Sequence, residues 1–267
     1  MSVYNSIRVD REGAVAIVRM FDFDVNRPLG AKTLHWELGD ALDRLRFDND
    51  IRVVVVTGHG KNFYAQPPGR PKMENHRPGD DWDMGLGLQR SLQAVIEMEK
   101  PVIARVHGQT AGFGTSLTFA CDFIIAAEDA IFGDSHLAMG EGDYNPLGRT
   151  DGGTTPGDGG TVFVPFHMTP PIAREFLWLA KQYTGADLAG MGAINAAVPE
   201  AELDAAVGRM AAALLRRPAY ALALSKRAFN RYIAARFNQS FDLSWSYELL
   251  NFYQYGRYVD GRGDKKL

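Results

Sequence analysis

Apolar and polar residues alternate in two short segments near the start of the chain, Ser6–Asp10 and Ala14–Met20, which flank Arg11-Glu12-Gly13. A period of two is typical of strands with one buried face, so these segments predict a β-hairpin. Leucines at positions 34, 38, 42 and 45 then recur at helical spacing and predict a helix over Thr33–Phe47. The β-branched run Val53–Thr57 predicts a buried strand.

Strand and helix patterns continue to alternate through the middle of the chain. Leu86–Met98 has the pattern of a helix, and strands are predicted at Lys100–Val106 and Phe123–Ala126. Gln66–Asp81 is rich in proline, glycine and charge, and predicts a loop or lid. Alternation of this kind is typical of an α/β fold built from stacked turns.

Helices dominate the last third of the chain. A long glycine-rich loop is predicted over Glu141–Gly160, and loops of this length are usually functional or disordered. Helices are predicted at Pro171–Ala180, Glu200–Leu215 and Tyr220–Asn238. The change in pattern predicts a core over residues 1–199 and a helical region over residues 200–267.

Composition narrows the class of protein. The 267 residues are 46% hydrophobic and 23% charged, with a net charge of −3, and no basic block offers a nucleic-acid surface. Cys121 is the single cysteine, so no intrachain disulfide is possible, which fits a reducing compartment. Neither a signal peptide nor an apolar segment long enough for a bilayer is apparent. These observations predict a cytoplasmic protein with no membrane partner.

Glycine-rich turns follow two of the predicted strands. The first turn is His107–Gly114, and the helix after it closes on Ala120-Cys121-Asp122. Phe132-Gly133-Asp134-Ser135-His136 and Pro156-Gly157-Asp158-Gly159-Gly160 come next. Glycines at a helix start let backbone N–H groups approach a ligand closely.

This arrangement resembles the crotonase (enoyl-CoA hydratase/isomerase) superfamily from about Ile7 to about Asn230. The resemblance implies a spiral of ββα turns, and it implies that the helical region 200–267 assembles homotrimers or hexamers. The aromatic-rich segment Trp245–Tyr258 is then expected to pack against a partner subunit or a substrate.

The resemblance also implies an oxyanion hole, in which two backbone N–H groups bind a thioester oxygen. One donor matches Phe113. The second matches Pro67, which has no N–H, so Ala65 or Gln66 would have to supply the donor. Hydratases of this family also use two glutamates, and the matching positions here are Ser116 and His136. Because a serine hydroxyl cannot replace a carboxylate near neutral pH, hydration of an enoyl thioester is disfavoured.

His136 is the strongest candidate for a catalytic base, since histidine titrates near neutral pH. Asp158 is the candidate carboxylate that orients it. The pair resembles the β-diketone hydrolases of the same superfamily, of the 6-oxocamphor hydrolase type, and this likeness implies that His35 and Glu248 contact substrate. Two alternatives stay open, namely that His136 is a surface histidine or one with its hydrogen bonds satisfied, and that His35 is an ordinary helix residue. Asp134 is a turn residue or a second carboxylate.

The sequence therefore predicts an enzyme that hydrolyses a carbon–carbon bond of a small, cyclic dicarbonyl compound by a retro-Claisen route. No cofactor and no metal are expected, although CoA could form part of the substrate. One alternative is an acyl-CoA enzyme of the same family that uses Asp158 as its acid. The other is an inactive scaffold, which would also have lost both glutamates.

Overall fold

A six-stranded sheet lies at the centre of the fold in the computed structural model, which describes residues 4–21, 34–65, 78–137 and 153–254. In spatial order its strands are β1 (Ile7–Glu12), β2 (Val15–Met20), β3 (Val53–Gly58), β4 (Val102–Val106), β6 (Phe123–Ala127) and β9 (Ala196–Val198). β1 and β2 form the predicted antiparallel hairpin, and all other neighbours are parallel. Every residue of β3 is buried, as the unbroken β-branched run predicts.

A smaller sheet contains β5 (Gln109–Ala111), β7 (Ile131–Gly133) and β8 (Tyr183–Thr184). The chain passes from the larger sheet to the smaller one twice, from β4 to β5 and from β6 to β7. Tyr64, after β3, also bridges to Thr110 in β5. At the end of the smaller sheet where β7 ends, the carbonyl of Gly133 accepts a hydrogen bond from Thr115, near the start of the helix Phe113–Ala120.

Eight helices are described around these sheets. They are α1 (Leu34–Phe47), α2 (Pro78–Glu97), α3 (Phe113–Ala120), α4 (Gly160–His167), α5 (Pro170–Trp178), α6 (Gly185–Gly190), α7 (Leu203–Leu215) and α8 (Ala219–Gln254). The boundary predicted at residue 200 falls in a 3₁₀ turn, Glu200–Glu202. Helix α8 is 36 residues long, but neither it nor any other described helix has an apolar stretch that could cross a membrane.

Helix α2 differs from its prediction, because it begins at Pro78 rather than Leu86 and takes in the end of the predicted loop. Asp80 and Asp81 lie in its first turn, where negative charge is favourable. The helix predicted at Leu86–Met98 starts directly after Gly85, whereas in the structure Gly85 lies inside α2 and serves packing: a Cβ there would lie 2.0 Å from Nε1 of Trp245. Glycine therefore lets α8 approach α2 closely.

Helix α8 also differs from its prediction, since it continues past Asn238 to Gln254. Trp245 lies on this extension and is buried against α2 of its own chain, so its burial needs no partner subunit; residues 255–258 of the aromatic-rich segment lie outside the described residues, and the expectation for the segment stays a prediction. A further helix, α4, follows the predicted loop directly and was not predicted. The extension of α8 matters because it carries Glu248 toward the edge where β7 ends.

Candidate active site

Four segments bring five buried polar side chains together at one end of the smaller sheet. Asp134 and His136 follow β7, Ser116 lies in α3, Asp158 precedes α4, and Glu248 lies on α8. All five side chains are buried. Burial of several ionisable groups in one place is costly unless they pair, so their contacts decide what the cluster can do.

The imidazole of His136 is held from one side by Asp134. Its Nδ1 lies 2.8 Å from Oδ1 of Asp134, and the backbone N–H of His136 donates to the same oxygen at 3.0 Å. Asp134 is therefore both the turn residue and the second carboxylate that the sequence left open. An acceptor at Nδ1 places a proton on that nitrogen and turns Nε2 toward the cluster.

Two further carboxylates face Nε2 of His136. Oδ2 of Asp158 lies 3.4 Å from it and Oε1 of Glu248 lies 3.5 Å from it. The structure thus brings the predicted pair together, but Asp134, and not Asp158, occupies the orienting position at Nδ1. The reason is local: a carboxylate two residues before the histidine reaches both its backbone and its ring.

The second oxygen of each of these two carboxylates accepts a hydrogen bond. The hydroxyl of Ser116 donates to Oδ1 of Asp158 at 2.9 Å. The backbone N–H of Gly157 donates to Oε2 of Glu248 at 3.2 Å. The bond from Ser116 was not predicted, because a serine at a position where the resemblance expects a glutamate indicates only the loss of an acid.

The cluster has more negative than positive charge, and this shifts its pKa values. Burial alone would lower the pKa of His136, but Asp134, Asp158 and Glu248 together raise it well above its usual value. Burial raises the pKa of Asp158 to about 7, with the positive charge of His136 opposing the shift. The surrounding carboxylates therefore raise the pKa of His136 and favour its imidazolium form, and Asp158 titrates near neutral pH.

The N-terminus of α3 lies against this cluster. Gly112 has a left-handed φ of 54°, and a Cβ there would be 3.4 Å from Oδ2 of Asp158 and 3.6 Å from Cε1 of His136. No side chain caps this helix, and Phe113 is its first residue, where helix geometry leaves the N–H without an acceptor inside the helix. The predicted oxyanion donor thus lies next to the predicted catalytic pair.

His35 packs edge-on against the buried ring of Phe113, with ring centroids 4.4 Å apart. Burial lowers the pKa of His35 to about 3, so its imidazole is neutral. Its Nδ1 has no hydrogen-bond partner among the residues that the structure describes. Ala65 is half-buried and follows the Tyr64 bridge to β5, whereas Gln66 and Pro67 lie outside the described residues.

The donor types at this site could also hold a metal ion. One atom each from Asp134, His136 and Asp158 lie within 4.8 Å of one another. In the structure, however, one of these contacts is the hydrogen bond at Nδ1, and the imidazole would have to lose a proton to become a ligand. Chemistry without a metal stays a prediction.

Fold and site together define a mixed α/β protein with a buried histidine–carboxylate cluster beside a helix N-terminus. Comparison with known families finds that residues 10–246 match the enoyl-CoA hydratase/isomerase family. The chain belongs to this family, which is the crotonase superfamily of enzymes.

Individual relatives agree on the fold and differ in what they are named for. A crotonyl-CoA hydratase from Syntrophomonas wolfei is 29% identical over 231 residues, covering 85% of this chain and 82% of the relative. An enoyl-CoA hydratase structure from Mycobacterium avium subsp. paratuberculosis has a TM-score of 0.74 at 24% identity, covering 94% and 95% of the two chains. A β-diketone hydrolase structure from the cyanobacterium Anabaena, bound to (S)-3-oxocyclohexyl acetic acid, has a TM-score of 0.76 at 23% identity, covering 92% and 94%.

Proposed function

We propose that this protein hydrolyses a carbon–carbon bond of a β-dicarbonyl compound, with His136 and Asp158 acting as one catalytic unit. The observation that carries the proposal is the contact between Nε2 of His136 and Oδ2 of Asp158. The two atoms are 3.4 Å apart, and both side chains are buried. A buried histidine–carboxylate pair that can accept one proton near neutral pH is suited to act as a general base toward a water molecule.

The directions of the two pKa shifts reverse the roles that the sequence predicts for His136, the expected base, and Asp158, the expected orienting carboxylate. Because the three carboxylates favour the imidazolium form of His136, Asp158 is the group that we expect to accept a proton from water. As that proton moves to Asp158, the water oxygen bonds to one carbonyl carbon and forms a tetrahedral intermediate. The imidazolium of His136 stabilises the negative charge that develops there.

Collapse of the intermediate breaks the carbon–carbon bond. The attacked carbonyl carbon becomes a carboxylic acid group, and the electron pair of the broken bond passes to the carbon next to the second carbonyl, where it is delocalised as an enolate. In this proposal the N–H of Phe113 and the neutral imidazole of His35 donate to the enolate oxygen, since Phe113 is the first residue of α3 and the lowered pKa of His35 keeps its imidazole neutral. The proton on Asp158 then returns to the enolate carbon, so that one water is consumed and a cyclic diketone opens to a keto acid.

The main alternative is hydration of an acyl-CoA thioester, which the name of the Syntrophomonas relative suggests. In that case Asp158 would serve as the acid, and CoA would form part of the substrate. The residue types argue for the hydrolase, since Ser116 and His136 occupy the positions where the resemblance expects two glutamates. The β-diketone hydrolase from Anabaena has the same fold, which is consistent with this chemistry on this scaffold.

Two further expectations belong to the proposal. An inactive scaffold is disfavoured, because it has no need for a buried histidine among three carboxylates. Assembly into a trimer or hexamer stays a prediction. Exposed apolar side chains along α8 are available to an interface, namely Leu224, Phe229, Tyr232, Leu243, Tyr247 and Leu250.

Substitution of the unit tests the proposal on a panel of cyclic β-diketones. His136→Ala and Asp158→Asn should each lower kcat/KM by about 100- to 10 000-fold, the usual contribution of general acid–base catalysis. The double variant should be scarcely worse than either single variant, because members of one unit are strongly non-additive.

His59→Ala is the matched control, since His59 is exposed and lies outside the cluster; it should keep the wild-type rate. Circular dichroism establishes that each variant is folded. Independent, additive losses from the two substitutions would contradict the single unit. Diketone opening by His136→Ala at the wild-type rate would contradict the proposed function itself.

A further inference from the structure

Three hydroxyl side chains on α3 are fully buried, and they differ in what they bind. Thr115 donates to the carbonyl of Gly133, and Thr118 donates to the carbonyl of Gly114, both at 2.8 Å. Bonds of this kind to backbone carbonyls are the usual arrangement for hydroxyls inside a helix. Ser116 instead donates to a carboxylate, Oδ1 of Asp158.

We propose that Ser116 is a positioning residue that selects which oxygen of Asp158 exchanges protons. This inference deepens the proposed function, on which its catalytic consequence rests. A serine hydroxyl has one proton to donate, and here that proton is directed at Oδ1. The oxygen left for proton transfer is Oδ2, which faces His136 and the start of α3.

Close packing keeps this contact in place. Gly159 has a φ of 121°, and a Cβ at that position would lie 3.0 Å from Cβ of Ser116. A side chain at residue 159 would crowd Ser116 and would be strained at this positive φ, so glycine favours the close approach of the Asp158 loop to α3. Ser116 therefore contacts the loop at two neighbouring residues, through its hydrogen bond to Asp158 and through its packing against Gly159.

The loop does not depend on Ser116 for its attachment. The N–H of Thr155 donates to Oδ1 of Asn251 at 2.8 Å, and the hydroxyls of Thr161 and Ser244 are 2.8 Å apart. Gly157 is held by Glu248. Because these bonds tie the loop to α8 at three points, loss of one hydroxyl on α3 should leave the loop in place and change only the local properties of Asp158.

The expected change is in the ionisation of Asp158. A hydroxyl that donates to a carboxylate stabilises its charged form, and the Ser116 bond lowers the pKa of Asp158 against the opposing effect of burial. Ser116→Ala should therefore raise this pKa above about 7, by roughly one unit. Asp158→Asn removes the signal and so assigns it.

The measurement is a carbon-13 NMR titration of the aspartate carboxyl carbons in the full chain without substrate. Ser91→Ala is the matched control, since Ser91 is equally buried but donates to the carbonyl of Leu88; it should leave the pKa of Asp158 unchanged. Ser116→Cys, a weaker donor of similar size, should give a smaller rise than Ser116→Ala and provides a second variant if the alanine variant does not fold.

An unchanged pKa of Asp158 in both Ser116 variants would overturn the positioning role. With an active substrate, Ser116→Ala should also move the acid limb of kcat to higher pH by the same amount, with little change in KM. The titration needs no turnover, so a positive titration without diketone opening would overturn the proposed function and leave the positioning role standing. A shift in KM alone, with no shift in the acid limb, would contradict the role of Ser116 in proton transfer.

Discussion

Helix α8 contributes one ionisable side chain to each of two buried charge clusters, and the two clusters differ in how well they are satisfied. Near the start of the helix, Nζ of Lys226 lies 2.7 Å from Oδ2 of Asp122 and 3.0 Å from each of two backbone carbonyls, those of Val95 and Lys100. All three donors of this ammonium group have acceptors, and its charge is paired.

The cluster near the end of α8 is not balanced in this way, because it holds more carboxylates than cations. Glu248 joins two other carboxylates around a single imidazole, with contacts of 3.4 and 3.5 Å at Nε2. Oδ2 of Asp134 is buried and has no hydrogen-bond partner among the described residues. A satisfied cluster is typical of a structural anchor, whereas excess charge and spare acceptors are typical of a site that exchanges protons.

Removing the cation from the balanced cluster should produce the largest effect on stability. Lys226→Met would leave Asp122 and two carbonyls without their partner, and breaking a buried ion pair in this way costs about 3–5 kcal/mol. Chemical denaturation measures this as a lower free energy of unfolding. The rate per folded molecule on any substrate should stay close to wild type.

Lys181→Met provides the comparison, because Lys181 pairs with Glu175 on the surface and such pairs contribute little. Equal losses of stability from the two substitutions would show that the buried pair is not an anchor. A large loss of catalysis in folded Lys226→Met would contradict the purely structural role of the Lys226 cluster.

Removing a charge from the unbalanced cluster should act in the opposite direction. Glu248→Gln keeps an amide oxygen for the N–H of Gly157 but removes a negative charge that raises the pKa of both His136 and Asp158. Both pKa values should fall, so the acid limb of kcat/KM should move to lower pH. Stability at pH 8 should be unchanged or higher by on the order of 1 kcal/mol, the equivalent of about one pKa unit.

The sign of the pH dependence follows from linkage. Asp158 has a folded pKa of about 7, above its value in an unfolded chain, so its contribution to stability is fully present at low pH and is lost as the pH rises through 7. The raised pKa of His136 acts in the same direction. The free energy of unfolding should therefore fall between about pH 4 and pH 8, and Glu248→Gln should flatten that fall.

Glu128→Gln, at an exposed position, should leave the slope as in wild type. A steeper slope for Glu248→Gln than for wild type would contradict the account of excess negative charge.

The sequence predicted the elements whose pattern is set by burial alone. The hairpin, α1, β3 and β4 have unbroken periodicities because they pack on one continuous core. The prediction of α2 was incomplete because glycine has two structural roles: it can interrupt a helix, and it can let two helices approach closely. The predicted helix begins at Leu86, directly after Gly85, and only the tertiary contact with Trp245 explains why glycine lies inside α2.

The site was predictable in its members and not in its connections. The resemblance pointed to His136, Asp158, His35 and Glu248, and the structure places His136, Asp158 and Glu248 in one cluster. Which nitrogen of His136 meets which carboxylate depends on a two-residue turn after β7 and on the loop before α4. Likewise, the role of Ser116 depends on a contact between residues 42 positions apart, which no local pattern records.

The most direct test of the central claim compares two reactions of the wild-type protein. We expect it to open a cyclic β-diketone in water enriched in oxygen-18, with one labelled oxygen in the new carboxylate. Under the same conditions, hydration of crotonyl-CoA should be at least about 100-fold slower than the rate of about 10 per second that is ordinary for an enzyme. Rapid hydration of crotonyl-CoA by a protein that leaves every diketone intact would contradict the account.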